Sequence, residues 1–149
     1  MKTEVLIIGG GPGGAAAAMF LLKEGIIPII LEQEEFPRFH IGESMTGEAA
    51  GVLRRLGLTE EMNARRYPVK HGVRVFGEGG KNSWFIPVSA RNKDWELEPG
   101  TTWQVRRSDF DGMMLETAIK RGATLVRGTA VKALLDEDGG VRGVTMRHP

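Results

Sequence analysis

The sequence predicts an α/β fold: a Rossmann-like parallel sheet in the order 3-2-1, carrying a β-hairpin and a long insertion. Three observations predict it. An apolar run ends in a glycine-rich loop that opens a helix. A second apolar run follows that helix and ends in an acid, Glu32. A further helix–strand pair then appears only after a stretch from about Glu34 to Arg107 that such a unit does not need.

Val5-Leu6-Ile7-Ile8 is short and continuously apolar, the pattern of a strand buried on both faces. Pro12 suits the first turn of the next helix, where a missing N–H costs nothing. Ala15–Leu22 continue that helix and Gly25 closes it. Ile26–Leu31 form the second strand, with Pro28 near its start. Within the insertion, Thr46–Leu56 and Thr59–Arg65 are predicted helices, with Ser44 as cap of the first. His71–Phe76, Ser83–Pro87 and Thr101–Val105 are predicted extended, and residues 77–82 and 89–100 are predicted turn-rich loops. Ser108 followed by Asp111 has the form of a capping box, which gives Asp111 a structural role. Phe110, Met113, Met114 and Ile119 mark the apolar face of that helix, and Gly122 ends it. Ala123–Val126 make the third strand, and runs around Val131–Leu135 and Val141–Met146 flank "DEDGG" as a hairpin.

Composition narrows the chemistry. The 20 Lys and Arg against 19 Asp and Glu leave a charge of +1, so no field of one sign argues for nucleic acid or an anionic membrane. The arginine pairs 54–55, 65–66 and 106–107 lie among acids and are expected on solvated faces. With no cysteine, disulfides, thiolate nucleophiles and zinc–thiolate sites are excluded. His40, His71 and His148 lack metal-ligand spacing, and no G-x-S-x-G elbow appears. Glycines and Pro12 interrupt the N-terminal apolar run, and no stretch is long enough to span a membrane, so the expected location is the cytoplasm. Trp84, Trp95 and Trp103 are expected to pack in the core or the substrate-facing layer.

Gly9, Gly11 and Gly14 satisfy G-x-G-x-x-G between a strand and a helix. The first glycine permits the tight turn, the second lets backbone approach a pyrophosphate, and the third allows helix and strand to pack closely. The helix start, from Pro12 through Gly13 to Ala15, adds a positive dipole end and, Pro12 apart, N–H groups. Glu32, with Gln33 beside it, stands where an acid meets ribose hydroxyls and repels a 2′-phosphate. A dinucleotide is expected, and these residues alone leave FAD and NAD open. Downstream, Phe36-Pro37 sets a turn that aims Arg38, a cationic fork suited to a pyrophosphate or a flavin edge. Gly42 lets backbone approach a flat ring.

The strings "GGGPGGAAAA", "LEQEEFPRFHIGES" and "WQVRRSDFDGMMLETAIKRGA" together resemble the flavin-dependent halogenases and their relatives, the geranylgeranyl reductases and other FAD-dependent oxidoreductases of the para-hydroxybenzoate hydroxylase fold. The F-P-R-x-x-I-G-E-S string is most similar to the halogenase branch. The resemblance implies FAD as cofactor, with Arg38, Ile41, Gly42, Glu43 and Ser44 beside it, Gln104 and Arg107 approaching it, and the backbone at Val131 near the adenine. It implies an oxidoreductase that uses reduced FAD, O₂ and halide on an electron-rich aromatic substrate, which a carrier protein can present, and a flavin reductase as partner. It also implies that Lys70 is the lysine that hands the oxidised halogen to the substrate; a compact ammonium with a readily lowered pKa suits that role. The later G-D motif and the W-x-W-x-I-P string of halogenases are not present, and "SWFIPV" at Ser83 is not the latter. Residues 1–149 are thus expected to be the N-terminal, FAD-binding portion of such an enzyme, with 34–107 on the substrate side and the remainder of the family fold absent. The alternatives are an FAD-dependent reductase or monooxygenase, and a non-catalytic flavin-binding remnant.

Overall fold

The structure is a computed structural model that describes residues 1–148. In chain order its elements are β1 (Leu6–Ile8), α1 (Pro12–Lys23), β2 (Ile29–Glu32), α2 (Gly47–Arg55), α3 (Thr59–Ala64), β3 (Val69–Lys70), β4 (Gly72–Phe76), β5 (Ser83–Pro87), β6 (Ser89–Arg91), β7 (Leu97–Pro99), β8 (Thr102–Trp103), α4 (Arg107–Lys120), β9 (Thr124–Arg127), β10 (Thr129–Leu135) and β11 (Val141–Arg147). They form two compact units. One comprises Met1–His40 with the chain from Arg107 onward, and the other Ile41–Arg106.

In the first unit β1, β2 and β9 form a parallel sheet in that spatial order, the predicted 3-2-1 arrangement. The register pairs Ile8 with Leu31 and Leu31 with Val126, so β1 and β2 end together and the glycine loop and Glu32 share the carboxyl edge. The central strand β2 is buried throughout, as its continuous apolar run requires. It begins later than expected, at Ile29, because the chain turns at Glu24–Gly25, runs outside the sheet through Ile27, and proline brings no N–H to a ladder. β1 departs from expectation. It pairs with β2 alone among the described residues, and Ile8 at its end is 63% exposed. Helix α1 packs its Ala15, Ala18 and Met19 face inward and meets α4, which buries Phe110, Met113, Met114, Leu115 and Ala118. The expected apolar marker Ile119 is instead on the solvent side of α4. Gly25 and Gly122 end the two helices with positive φ, as read from sequence. Strands β10 and β11 form the predicted hairpin.

The second unit packs α2 against β6 and β8, with Ala50, Leu53, Leu56, Leu58, Met62, Val88, Trp103 and Val105 as its core. Thr46, not Ser44, caps α2: its hydroxyl accepts the Ala49 N–H at 3.2 Å. Three antiparallel pairs complete the unit: β3 with β8, β4 with β5, and β6 with β7. The last pair lies where a loop was expected, since Asn92 turns a short ladder with its carbonyl oxygen accepting from Asp94 and Glu96 N–H groups. Of the three tryptophans only Trp103 is in the core; Trp84 is half exposed and Trp95 80% exposed. Among the described residues no helix is long and apolar enough to cross a membrane.

Candidate functional site

The carboxyl edge of the sheet is built by the glycine loop. Gly9 has φ +100 and donates its N–H to Leu31 O at 2.8 Å, which ties the loop to the neighbouring strand. A Cβ on Gly14 would stand 1.9 Å from Gly9 O, so only glycine lets α1 begin this close to β1. At Gly9 and Gly13, by contrast, an added Cβ would meet nothing within 4 Å. Gly11 is the N-cap of α1 and offers no side-chain cap, which leaves the positive end of a twelve-residue helix without a side-chain acceptor.

Glu32 is 5% exposed and is tied into this loop. One carboxylate oxygen accepts the Gly10 N–H at 2.6 Å and the other the Glu34 N–H at 2.8 Å. A carboxylate accepts about four hydrogen bonds, so lone pairs remain for ribose hydroxyls. The acid therefore holds the loop's shape and also carries negative charge at the edge.

Arg38 lies directly over the loop, its Nη2 3.4 Å from where a Cβ on Gly11 would be. Its guanidinium stacks 5.0 Å from the Phe36 ring centroid. The Nε is buried and lies 3.2 Å from Glu34 Oε2, within ion-pair distance but without hydrogen-bond alignment. Arg107, at the start of α4, donates to both oxygens of Asp111 at 2.6 and 2.9 Å. Its partner Arg106 is exposed, but Arg107 is not on the solvated face expected of that pair. Asp111 is fully buried and forms no capping box, because α4 already starts at Arg107 and Ser108 lies inside it.

On the other side of the loop lies a cleft of about 180 Å³, lined by Ile8, Gly9, Leu31, Gln33, Gly128, Thr129 and Ala130. Next to it the β10–β11 register shifts between Ala130 and Lys132, so Val131 is bulged out of the ladder. A bulge leaves backbone groups unpaired and able to meet a base edge. Sequence reasoning found Gln33 and Val131 but not Gly128–Ala130. The signal for those three was their place just past the end of the third parallel strand, on the ligand edge of such sheets.

The remaining candidates belong to the second unit. Ile41, Gly42, Glu43 and Ser44 are all exposed, and Gly42 has φ +105, a conformation natural only to glycine. Ser44 bridges Gln104 in an antiparallel pair, and Val105 N–H donates to Glu43 O at 2.8 Å. Lys70 is drawn into the same group. It sits in β3 opposite Thr102 and donates from Nζ to Ser44 Oγ at 2.8 Å and Met45 O at 3.2 Å. Ser44, expected as a helix cap, is thus a partner of the lysine.

The edge fits FAD. Open space over Gly9 and Gly13, an uncapped helix start, a cation with a buried unaligned N–H and an adjoining largely apolar cleft suit a pyrophosphate flanked by an adenosine. The family model described as FAD binding domain matches residues 2–148. The 1H-pyrrole-2-carbonyl-[peptidyl-carrier protein] brominase of Pseudoalteromonas luteoviolacea (strain 2ta16) is 44% identical over 140 residues, covering 94% of this chain and 32% of its own. The flavin-dependent halogenase ptaM of Pestalotiopsis fici is 39% identical over 136 residues, covering 91% and 24%. Among solved structures, that of the flavin-dependent brominase Bmp2 superposes with a TM-score of 0.85 at 39% identity, covering 99% of this chain and 34% of that one. The chain thus spans roughly a quarter to a third of the length of these relatives.

Proposed function

The chain belongs to the FAD binding domain family, with FAD as its cofactor, and from that premise we propose that it serves a flavin-dependent halogenase acting on an electron-rich aromatic substrate. The amides of Gly11, Gly13 and Gly14 at the start of α1, with Arg38 and Arg107, hold the pyrophosphate side of the cofactor, while Gly9, Pro12 and Ala15 shape the loop around it. Glu32 takes the ribose, and the cleft beside Gln33 and Val131 takes the adenine. On the family resemblance, Ile41, Gly42, Glu43, Ser44 and Gln104 are further cofactor-facing residues. Bound and reduced, FAD supplies with O₂ the oxidising power that turns halide into an electrophile. A separate flavin reductase provides the reduced cofactor, and the protein works in the cytoplasm. The relative that brominates a carrier-bound pyrrole supports a small aromatic acyl group on a carrier protein as substrate.

The observation that carries the halogenase assignment is the held ammonium of Lys70. Two of its three N–H donors are committed to Ser44 Oγ and Met45 O, which fixes its direction and leaves the third for an electrophilic halogen species. A solvated lysine would have no such fixed aim. The test is Lys70→Met in the full-length enzyme. FAD binding and flavin reoxidation are expected to remain at wild-type levels, while halogenated product, followed by mass spectrometry, disappears. Full product formation by the variant removes Lys70 from the mechanism, whereas a wild-type enzyme that reoxidises flavin but forms no halogenated product favours a reductase or monooxygenase.

A further inference from the structure

Asp111 is the most deeply buried charged side chain among the described residues, at 0% exposure. Its pairing with Arg107 on the same helix is bidentate and strong, but full burial of a carboxylate is costly enough that further partners add to its stability. A second guanidinium stands near it. Arg38 Nη2 stands 3.9 Å from Asp111 Oδ2, and that same nitrogen rests against Gly11 of the glycine loop. The carboxylate is thus shared between a helix-borne arginine and one brought by the loop after β2. Glu34, 3.2 Å from Arg38 Nε, is half exposed and screened by water, which leaves the buried Asp111 carboxylate to fix the Nη2 side of the guanidinium. The arginine so placed stands beside the loop amides, where anion oxygens gain most from a donor already in place.

We propose that Asp111 is a positioning residue for the dinucleotide: it anchors Arg38 against Gly11 and Arg107 at the start of α4, so that both donors are set before the diphosphate arrives. Asp111 itself touches no ligand. The assignment rests on the glycine loop being the phosphate cradle for FAD, and the probe is therefore ADP, which carries the diphosphate, against adenosine, which does not.

FAD bound to the protein is displaced by ADP or by adenosine, and the ratio of the two affinities is measured in wild type, Asp111→Asn and Asp111→Glu. Wild type is expected to prefer ADP. Asp111→Asn is expected to lose about tenfold of that preference, the share of one charge-assisted hydrogen bond, with adenosine affinity unchanged. Asp111→Glu keeps the charge one methylene out of place and is expected to fall between the two. If Asp111→Asn does not fold, a severalfold loss in Asp111→Glu against wild type carries the same meaning. A ratio unchanged in the folded variants, or equal losses for both ligands, reduces Asp111 to a structural group and overturns the proposal. A raised preference for ADP overturns it too, since it shows that Asp111 acts by offsetting positive charge. Wild-type protein that binds neither FAD nor ADP removes the FAD assignment itself, a failure distinct from the others.

Discussion

Glu32 and the loop glycines show how single residues divide the work of packing and binding. Glu32 satisfies two backbone N–H groups of its own chain before any ligand is present, so its place at the end of β2 is structural first. Gly14 and Gly13 are neighbours with opposite duties. Gly14→Ala drives a methyl group into Gly9 O and must push α1 away from β1, an overpacking that costs about 2 kcal/mol or more. Gly13→Ala meets nothing in the protein and gains helix propensity, up to about 1 kcal/mol. Urea denaturation is expected to find Gly14→Ala destabilised and Gly13→Ala as stable as wild type or more so. FAD titration is expected to find Gly13→Ala weakened severalfold, because on the proposed cofactor placement its methyl stands among the phosphate oxygens. Equal stability losses in both variants would contradict this division.

At the scale of elements, the parallel sheet, its order, its two covering helices and the hairpin were legible, because each is written in local pattern: apolar runs, a glycine-rich turn, glycine stops. What was not legible depends on partners far along the chain. Ser108 and Asp111 have capping-box spacing, but the stronger claim on Asp111 comes from Arg107 and Arg38, and no local pattern announces that Arg38 reaches Asp111. Ser44 is by type the better cap than Thr46, but strand pairing with Gln104 and the Lys70 ammonium draw Ser44 away and leave α2 to Thr46. Within the candidate site, the glycine loop, Glu32 and Arg38 were visible from sequence, whereas Gly128–Ala130 were hidden in an unremarkable strand end. The two hydroxyls separate by mutation. Thr46→Ala is expected to cost about 1 kcal/mol and to raise hydrogen exchange at Ala49. Ser44→Ala is expected to leave that exchange unchanged. The reverse pattern returns the cap to Ser44.

For the whole molecule, a charge of +1 gives no long-range attraction for an anionic ligand, so dinucleotide affinity has to come from local donors at one sheet edge. The cofactor is the central claim, and FAD and NAD share the adenosine and pyrophosphate that this edge suits. What separates them is the other end of the ligand, a ribityl chain and isoalloxazine in FAD and a nicotinamide riboside in NAD. Calorimetric titration of the full-length protein with FAD and, separately, with NAD tests this most directly. The account predicts saturable one-to-one binding of FAD and a far weaker response, or none, to NAD. Tight NAD binding with no response to FAD would contradict it.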